Sequence, residues 1–141
     1  MITMYYHYVF RTYKKYNILT DKDIVKDLSN YFYEISKEKG FHIDKLSILA
    51  DHVHMLIKQK QSDNLSYIMK AIKGISARKL FKNYNSNRFV YRKLWGRSFF
   101  AEEIKPENIN KIRYYIKGQK RSGIDKRAIS RNREVHSQVP S

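Results

Sequence analysis

The chain has 141 residues, a length that fits a single domain with a two-layer core. It contains no cysteine, which excludes disulfides and thiolate metal sites, and no apolar run of about eighteen residues, which excludes an ordinary membrane-spanning helix. Twenty-nine Lys and Arg against thirteen Asp and Glu leave a formal net charge of +16, which favours a polyanionic partner such as nucleic acid over a membrane surface.

The first half of the chain predicts a strand, a helix and two further strands. Residues 4–13 are rich in β-branched and aromatic side chains, as in a strand. Thr20 is the predicted N-cap of a helix whose apolar residues recur at helical spacing, and Gly40 closes it. Residues 41–49 and 52–59 then predict two antiparallel strands.

The second half predicts a helix, a strand and one extra helix. A helix is expected over residues 63–84 and a strand over 91–101, and Pro106 opens the last helix. The order predicts an α+β fold, a ferredoxin-like βαββαβ antiparallel sheet with helices on one face, plus a C-terminal helix. We expect one domain over residues 1–121 and a basic, flexible tail over 122–141.

Two histidines stand one strand period apart in the third predicted strand. His52 and His54 should share one face of the sheet, while Val53 and Met55 point to the other. Two imidazoles about 6.6 Å apart along a strand can lean towards one divalent ion. The alternative is a pair of ordinary residues on a half-buried strand, because two ligands do not complete a site. His7 and His42 show no link to this pair, so we expect them to be structural.

The last predicted helix carries Tyr115 and Gln119 four residues apart, on the edge of its isoleucine stripe. A tyrosine can attack a phosphodiester, but a phenol with an ordinary pKa of about 10 needs assistance. The Gln119 amide oxygen would complete a three-ligand site with the histidines, suited to Mg²⁺ or Mn²⁺. The alternative for Tyr115 is a core aromatic whose hydroxyl lies at the rim, as the chain has twelve tyrosines.

Three segments together resemble the single-tyrosine HUH transposases of the insertion-sequence 200/605 family. They are Ala50-Asp51-His52-Val53-His54-Met55-Leu56, Leu94-Trp95-Gly96-Arg97-Ser98-Phe99-Phe100 and Ile112-Arg113-Tyr114-Tyr115-Ile116-Lys117-Gly118-Gln119. The likeness covers about residues 4–121. One departure is Gly118, where the family commonly has Asn; glycine inside a helix costs about 1 kcal/mol relative to alanine.

The resemblance implies an enzyme that cuts and rejoins single-stranded DNA beside hairpins at the element ends, without ATP. Tyr115 would be the nucleophile that forms a 5′-phosphotyrosine link, and His52, His54 and Gln119 would bind Mg²⁺ or Mn²⁺. It also implies a homodimer in which the tyrosine helix of one subunit docks on the histidine pair of the other. With no signal-peptide pattern at the N-terminus, we expect a cytoplasmic protein that acts on DNA.

Hairpin binding is assigned to basic residues of the second predicted helix, namely Lys70, Lys73, Arg78 and Lys79, which could equally form a solvated helix face. Three other functions remain open. One is a non-catalytic module that binds single-stranded nucleic acid, and another is a metal-dependent nuclease that uses an activated water. The third is a domesticated, repeat-associated single-tyrosine enzyme.

Overall fold

The computed structural model describes residues 2–84 and 93–119, and its elements follow the predicted order. The strands and α-helices are β1 (Thr3–Thr12), α1 (Lys22–Lys39), β2 (His42–Ile48), β3 (His52–Lys60), α2 (Leu65–Asn83), β4 (Trp95–Ile104) and α3 (Ile109–Lys117). The strands form one antiparallel sheet in the order β2-β3-β1-β4. This confirms the predicted α+β fold, whereas the predicted tail over 122–141 lies outside the described residues.

The sheet separates two apolar clusters of very different size. On one face, side chains such as Phe10 and Met55 pack against Phe32 of α1 and Ile72 of α2 in the main core. On the other face, α3 lies over β2 and β3 and shares a small cluster with Leu56. Within the described ranges, no helix has both the length and the apolar character needed to cross a membrane.

Helix α1 begins one residue later than its predicted cap. Asp21, not Thr20, is the N-cap, and its carboxylate accepts hydrogen bonds from the backbone N–H groups of Asp23 and Ile24. A carboxylate caps as well as a hydroxyl and adds a favourable charge at the positive end of the helix dipole. The predicted end is confirmed, because Gly40 adopts a left-handed conformation with φ of 80°.

Two boundaries in the second half of the chain also differ from the prediction. Pro106 opens a short 3-10 turn, and the α-helix itself begins only at Ile109. Strand β4 begins at Trp95 rather than at residue 91 and runs on to Ile104. The sequence between α2 and β4, residues 85–92, lies outside the described residues.

Candidate active site around the histidine pair

His52 and His54 lie on the sheet face that carries α3. Their strand neighbours Val53 and Met55 belong to the main core on the other face, as the strand alternation predicts. Both histidines have 0% exposed surface. Val53 and Met55, which pack in the main core, therefore fix the strand that carries the two imidazoles. Helix α3 contacts this strand on the opposite face of the sheet.

The two imidazoles belong to a continuous chain of polar contacts. The Nε2 atoms of His52 and His54 are 3.1 Å apart. On the outer side, His52 Nδ1 is 2.8 Å from Asp51 Oδ1, and His54 Nδ1 is 3.0 Å from His7 Nε2. The expectation that His7 is unconnected to the site is therefore wrong: its ring meets that of His54 edge to edge, with 5.2 Å between centroids and 15° between the ring planes.

Strand pairing explains why His7 reaches the site. Val9 of β1 pairs with His54, and His7 pairs with Leu56, so His7 is the diagonal neighbour of His54 on the same face. Diagonal neighbours across an antiparallel pair are within reach of aromatic side chains. Sequence reasoning could have found His7 only with the β1–β3 register in hand, and that register is set by the tertiary fold.

Two placements of the ring protons are compatible with these hydrogen-bond contacts when the rings are neutral. In one, His7 Nε2–H donates to His54 Nδ1, and His54 Nε2–H donates to His52 Nε2. In the other, His54 carries its proton on Nδ1 and donates to His7, while His52 Nδ1–H donates to Asp51. The second arrangement leaves two lone pairs facing each other, which is favourable only with a cation nearby.

The second arrangement matches the requirements of a metal site. Two nitrogen ligands, each about 2.1 Å from a divalent ion and roughly at a right angle, are about 3 Å apart. Metal-binding histidines also donate their outer N–H to a fixed acceptor, here Asp51 and His7. The residues present therefore fit a divalent ion held by the Nε2 atoms of His52 and His54.

The electrostatics of the pair keep both rings neutral, which is the form that binds metals. Burial lowers the pKa of His54 to about 2, with further lowering by His7 and His52. Burial also lowers the pKa of His52, although the hydrogen bond from its ring to Asp51 acts in the opposite direction. Burial thus favours neutral imidazoles with directed lone pairs.

Tyr115 lies beside the histidines, as its place at the edge of the isoleucine stripe predicts. Its ring centroid is 5.8 Å from that of His54 and 6.0 Å from that of His7, in edge-to-face geometry with both. It packs on the small cluster that includes Leu56 and the buried Ile116. Its neighbour Tyr114 is 82% exposed, so the helix clearly distinguishes the two tyrosines.

An ion pair anchors the tyrosine helix to the edge of the sheet. Arg113 donates from Nε to Asp44 Oδ1 at 2.9 Å and from Nη2 to Asp44 Oδ2 at 2.8 Å. Asp44 is the extra residue of a bulge in β2, where Ile43 and Lys45 pair with consecutive residues of β3. This bidentate ion pair, together with the small apolar cluster, holds α3 over the sheet.

Gln119 follows the end of α3, one turn after Tyr115. Its backbone N–H donates to the carbonyl of Ile116, and its side-chain amide donates to the carbonyl of Tyr115 at 3.4 Å. Across residues 2–84 and 93–119, no group of three or more His, Cys, Asp or Glu side chains is arranged around a common ion. Among these residues, a third protein ligand would be of another type, such as this amide.

The four basic residues assigned to hairpin binding divide into two pairs. Lys70 and Arg78 are exposed on α2. Lys73 is half-buried and donates from Nζ to the carbonyls of Gly96 at 2.8 Å and Ser98 at 3.0 Å. Lys79 lies 3.7 Å from Glu34 and over the ring of Tyr31.

Sequence comparisons identify the relatives of this chain. Residues 1–119 match the family model described as "Transposase IS200 like". The ISDra2 transposase TnpA of Deinococcus radiodurans is 26% identical over 91 residues, which is 64% of this chain and 62% of that relative's length. The IS200 transposase of Salmonella typhimurium is 27% identical over 117 residues, or 81% of this chain and 75% of the relative.

Solved structures show the same fold. The crystal structure of a candidate transposase from Deinococcus radiodurans aligns with a TM-score of 0.68 at 23% identity, covering 84% of this chain and 92% of the other. A REP-associated tyrosine transposase bound to a REP hairpin aligns with a TM-score of 0.58 at 15% identity, covering 80% and 62%. Because the family model matches residues 1–119 of the 141, the chain belongs to the IS200-like transposase family.

Proposed function

We propose that this protein is a transposase that cuts and rejoins single-stranded DNA next to hairpins at the ends of an insertion sequence. The observation that carries the proposal is the pairing of two neutral, buried imidazoles, 3.1 Å apart at Nε2, with the ring of Tyr115 beside them. A relative of the same fold is bound to a REP hairpin, which supports a hairpin as the recognised DNA element.

Tyr115 supplies the nucleophile in this proposal. Its phenolic oxygen forms a bond to the scissile phosphorus while the bond from phosphorus to the 3′ oxygen breaks. The products are a 5′-phosphotyrosine and a free 3′ hydroxyl, and the phenolic proton is balanced by the proton gained at the 3′ oxygen. Because one phosphoester replaces another, a second 3′ hydroxyl can reverse the step and rejoin the strands without ATP.

His52, His54 and Gln119 would hold a divalent ion, Mg²⁺ or Mn²⁺, that polarises the scissile phosphate and stabilises charge on the leaving oxygen. Asp51 and His7 orient the two imidazoles by accepting their outer N–H groups. Ile116 and Leu56 exclude water from the side of the ring of Tyr115. The exposed Lys70 and Arg78 are the residues of α2 best placed to contact a hairpin backbone.

We also propose that the protein acts in the cytoplasm as a homodimer with composite active sites. His52 and His54 have no exposed surface in the packing of one chain, so a phosphodiester reaches them only after α3 shifts. The small apolar cluster beneath α3 makes such a shift far less costly than a movement of α1 or α2.

The test uses single-stranded oligonucleotides tiled across the DNA that flanks the gene, incubated with protein and Mg²⁺ or Mn²⁺. A denaturing gel should show a protein–DNA adduct with wild-type protein, and none with Tyr115→Phe or His54→Ala. Tyr114→Phe is the matched control and should retain the adduct, because that neighbouring ring is exposed. Cleavage that persists in Tyr115→Phe would indicate a nuclease that uses water, and hairpin binding without cleavage a binding module.

A further inference from the structure

A small basic pocket opens between the ends of β1 and β4. Its volume is about 200 Å³, and its lining includes Arg11, Lys14, Lys15 and Arg97 together with the hydroxyl-bearing Thr12 and Ser98. No acidic side chain is among the described residues that line it. Pockets for drug-sized ligands measure roughly 300–1,000 Å³, so this one suits a small anionic group.

The pocket exists because the β1–β4 ladder is interrupted. Phe10 pairs with Phe99 and Thr12 pairs with Trp95, so three β4 residues face the single residue Arg11. Such a bulge bends the strand and redirects its side chains, and bulges are frequent next to active sites. The local chain path therefore places Arg97 and Ser98 around a cavity instead of in a regular ladder.

The half-buried Lys73 of α2 stabilises this bulge. The Nζ atom of Lys73 donates to the carbonyls of Gly96 and Ser98, and it lies 5.9 Å from the ring centroid of Phe99. Burial lowers the pKa of Lys73 to about 8. An ammonium kept in such a position fixes the path of the bulge, so Lys73 shapes the pocket without lining it.

The turn that follows β1 is also held in an unusual conformation. Lys14 and Lys15 have φ of 51° and 60°, in the left-handed region that non-glycine residues rarely adopt. Thr12 Oγ1 donates to the carbonyl of Tyr16 at 2.6 Å and ties the two ends of the turn together. Strained backbone of this kind persists only where its surroundings hold it, and it is common at ligand-binding sites.

The pocket adjoins the histidine pair. Arg11 pairs with His52 across β1 and β3, and residues directly opposite in an antiparallel pair share one face of the sheet. An anion bound at Arg11 would thus lie beside the proposed metal ligands.

We propose that this pocket binds one backbone phosphate of the single-stranded DNA substrate, through Arg11, Lys15 and Arg97, next to His52. The inference rests on the proposed function, because it takes the substrate to be single-stranded DNA. A phosphate held here fixes the position of the strand relative to the histidines. The pocket recognises charge and not base identity, so it contributes register rather than sequence preference.

The test measures binding by fluorescence anisotropy in a Tyr115→Phe background, where no cleavage interferes. Oligonucleotides carry a single neutral methylphosphonate at each position in turn. With the pocket intact, one or two positions should lose on the order of tenfold in affinity at low salt. With Arg97→Gln added, the same positions should lose clearly less, although Arg11 and Lys15 still face the phosphate, and the salt slope should fall by up to about 0.7.

Lys26→Gln on the exposed face of α1 is the matched control. It should leave the methylphosphonate-sensitive positions as they are. The proposal is overturned if no position is sensitive with the pocket intact, or if Arg97→Gln leaves the sensitivity unchanged. A wild-type protein that shows the phosphate coupling but forms no Tyr115 adduct would overturn the proposed transposase chemistry and leave the pocket standing.

Discussion

At the scale of single residues, the contact between His7 and His54 is the feature of the site that the sequence did not predict. The Nε2 atom of His7 lies 3.0 Å from the outer nitrogen of His54, and the two rings meet edge to edge in nearly the same plane. A metal-binding His54 needs an acceptor at this position, since it must carry its proton on Nδ1 to leave Nε2 free. In the proposed metal site, His7 would therefore be a positioning residue that acts through His54.

The role of His7 can be separated from its volume by two substitutions. His7→Phe keeps an aromatic ring against His54 but removes the acceptor, and we expect it to weaken Mn²⁺ binding about 10–100-fold, as is typical for partners of metal ligands. His7→Gln keeps an oxygen acceptor and should lose much less. Isothermal titration calorimetry with Mn²⁺ measures both. Equal losses in the two variants would show that packing, and not hydrogen bonding, is what His7 contributes.

At the scale of elements, α3 is the least firmly held helix. It has nine residues, shares a small apolar cluster with the sheet, and depends on the contact between Asp44 and Arg113. Arg113 and the neighbouring positive charges lower the pKa of Asp44 below its ordinary value of 3.8. This ion pair is thus the electrostatic part of the attachment that positions Tyr115.

The pH dependence of this attachment follows from the lowered pKa. A carboxyl whose pKa is lower in the folded state stabilises the fold above the ordinary pKa, and loses that contribution as the pH falls through the folded value. We expect Asp44→Asn to lower the unfolding temperature at pH 6, and the difference from wild type to shrink below pH 3.8. Thermal unfolding of both proteins across this range provides the measurement.

Lys111→Gln is the control for this experiment, because Lys111 is exposed on the same helix. It should match the wild type at every pH. Arg113→Gln should reproduce the effect of Asp44→Asn and should also slow adduct formation by Tyr115 severalfold, since the helix is then less firmly positioned. A pH-independent difference between wild type and Asp44→Asn would contradict the assignment.

At the scale of the whole molecule, Tyr115 could act with His52 and His54 of its own chain or with those of a second subunit. Within one chain the ring of Tyr115 already lies beside His54, yet the histidines are then fully buried. A helix that must leave this position to admit DNA can dock again on its own sheet or on that of a second subunit. Only the second possibility produces the composite sites that the family resemblance implies.

Mixing two inactive variants distinguishes these arrangements. Neither Tyr115→Phe nor His54→Ala alone should form an adduct. If the sites are composite, a coexpressed mixture should recover about a quarter of the wild-type sites, because half of the dimers are mixed and each has one intact site. The denaturing gel is again the readout. An inactive mixture, with both variants folded and dimeric, would show that Tyr115 serves the histidines of its own chain.

The sequence by itself determined the order of the elements, the family, and the face on which His52 and His54 lie. These depend on local periodicity, which is two along a strand and 3.6 along a helix, and on short motifs. The same periodicity placed Tyr115 at the edge of the buried stripe of α3, and the structure finds it there.

Only the tertiary structure decided which residues meet across the sheet. The His7–His54 contact depends on the register of β1 against β3, and the Asp44–Arg113 contact on a bulge in β2. The hydrogen bond from Lys73 to the carbonyl of Gly96 and the pocket lined by Arg11 depend likewise on a bulge in β4. Register and bulges are set by packing between segments distant along the chain, so no local pattern contains them.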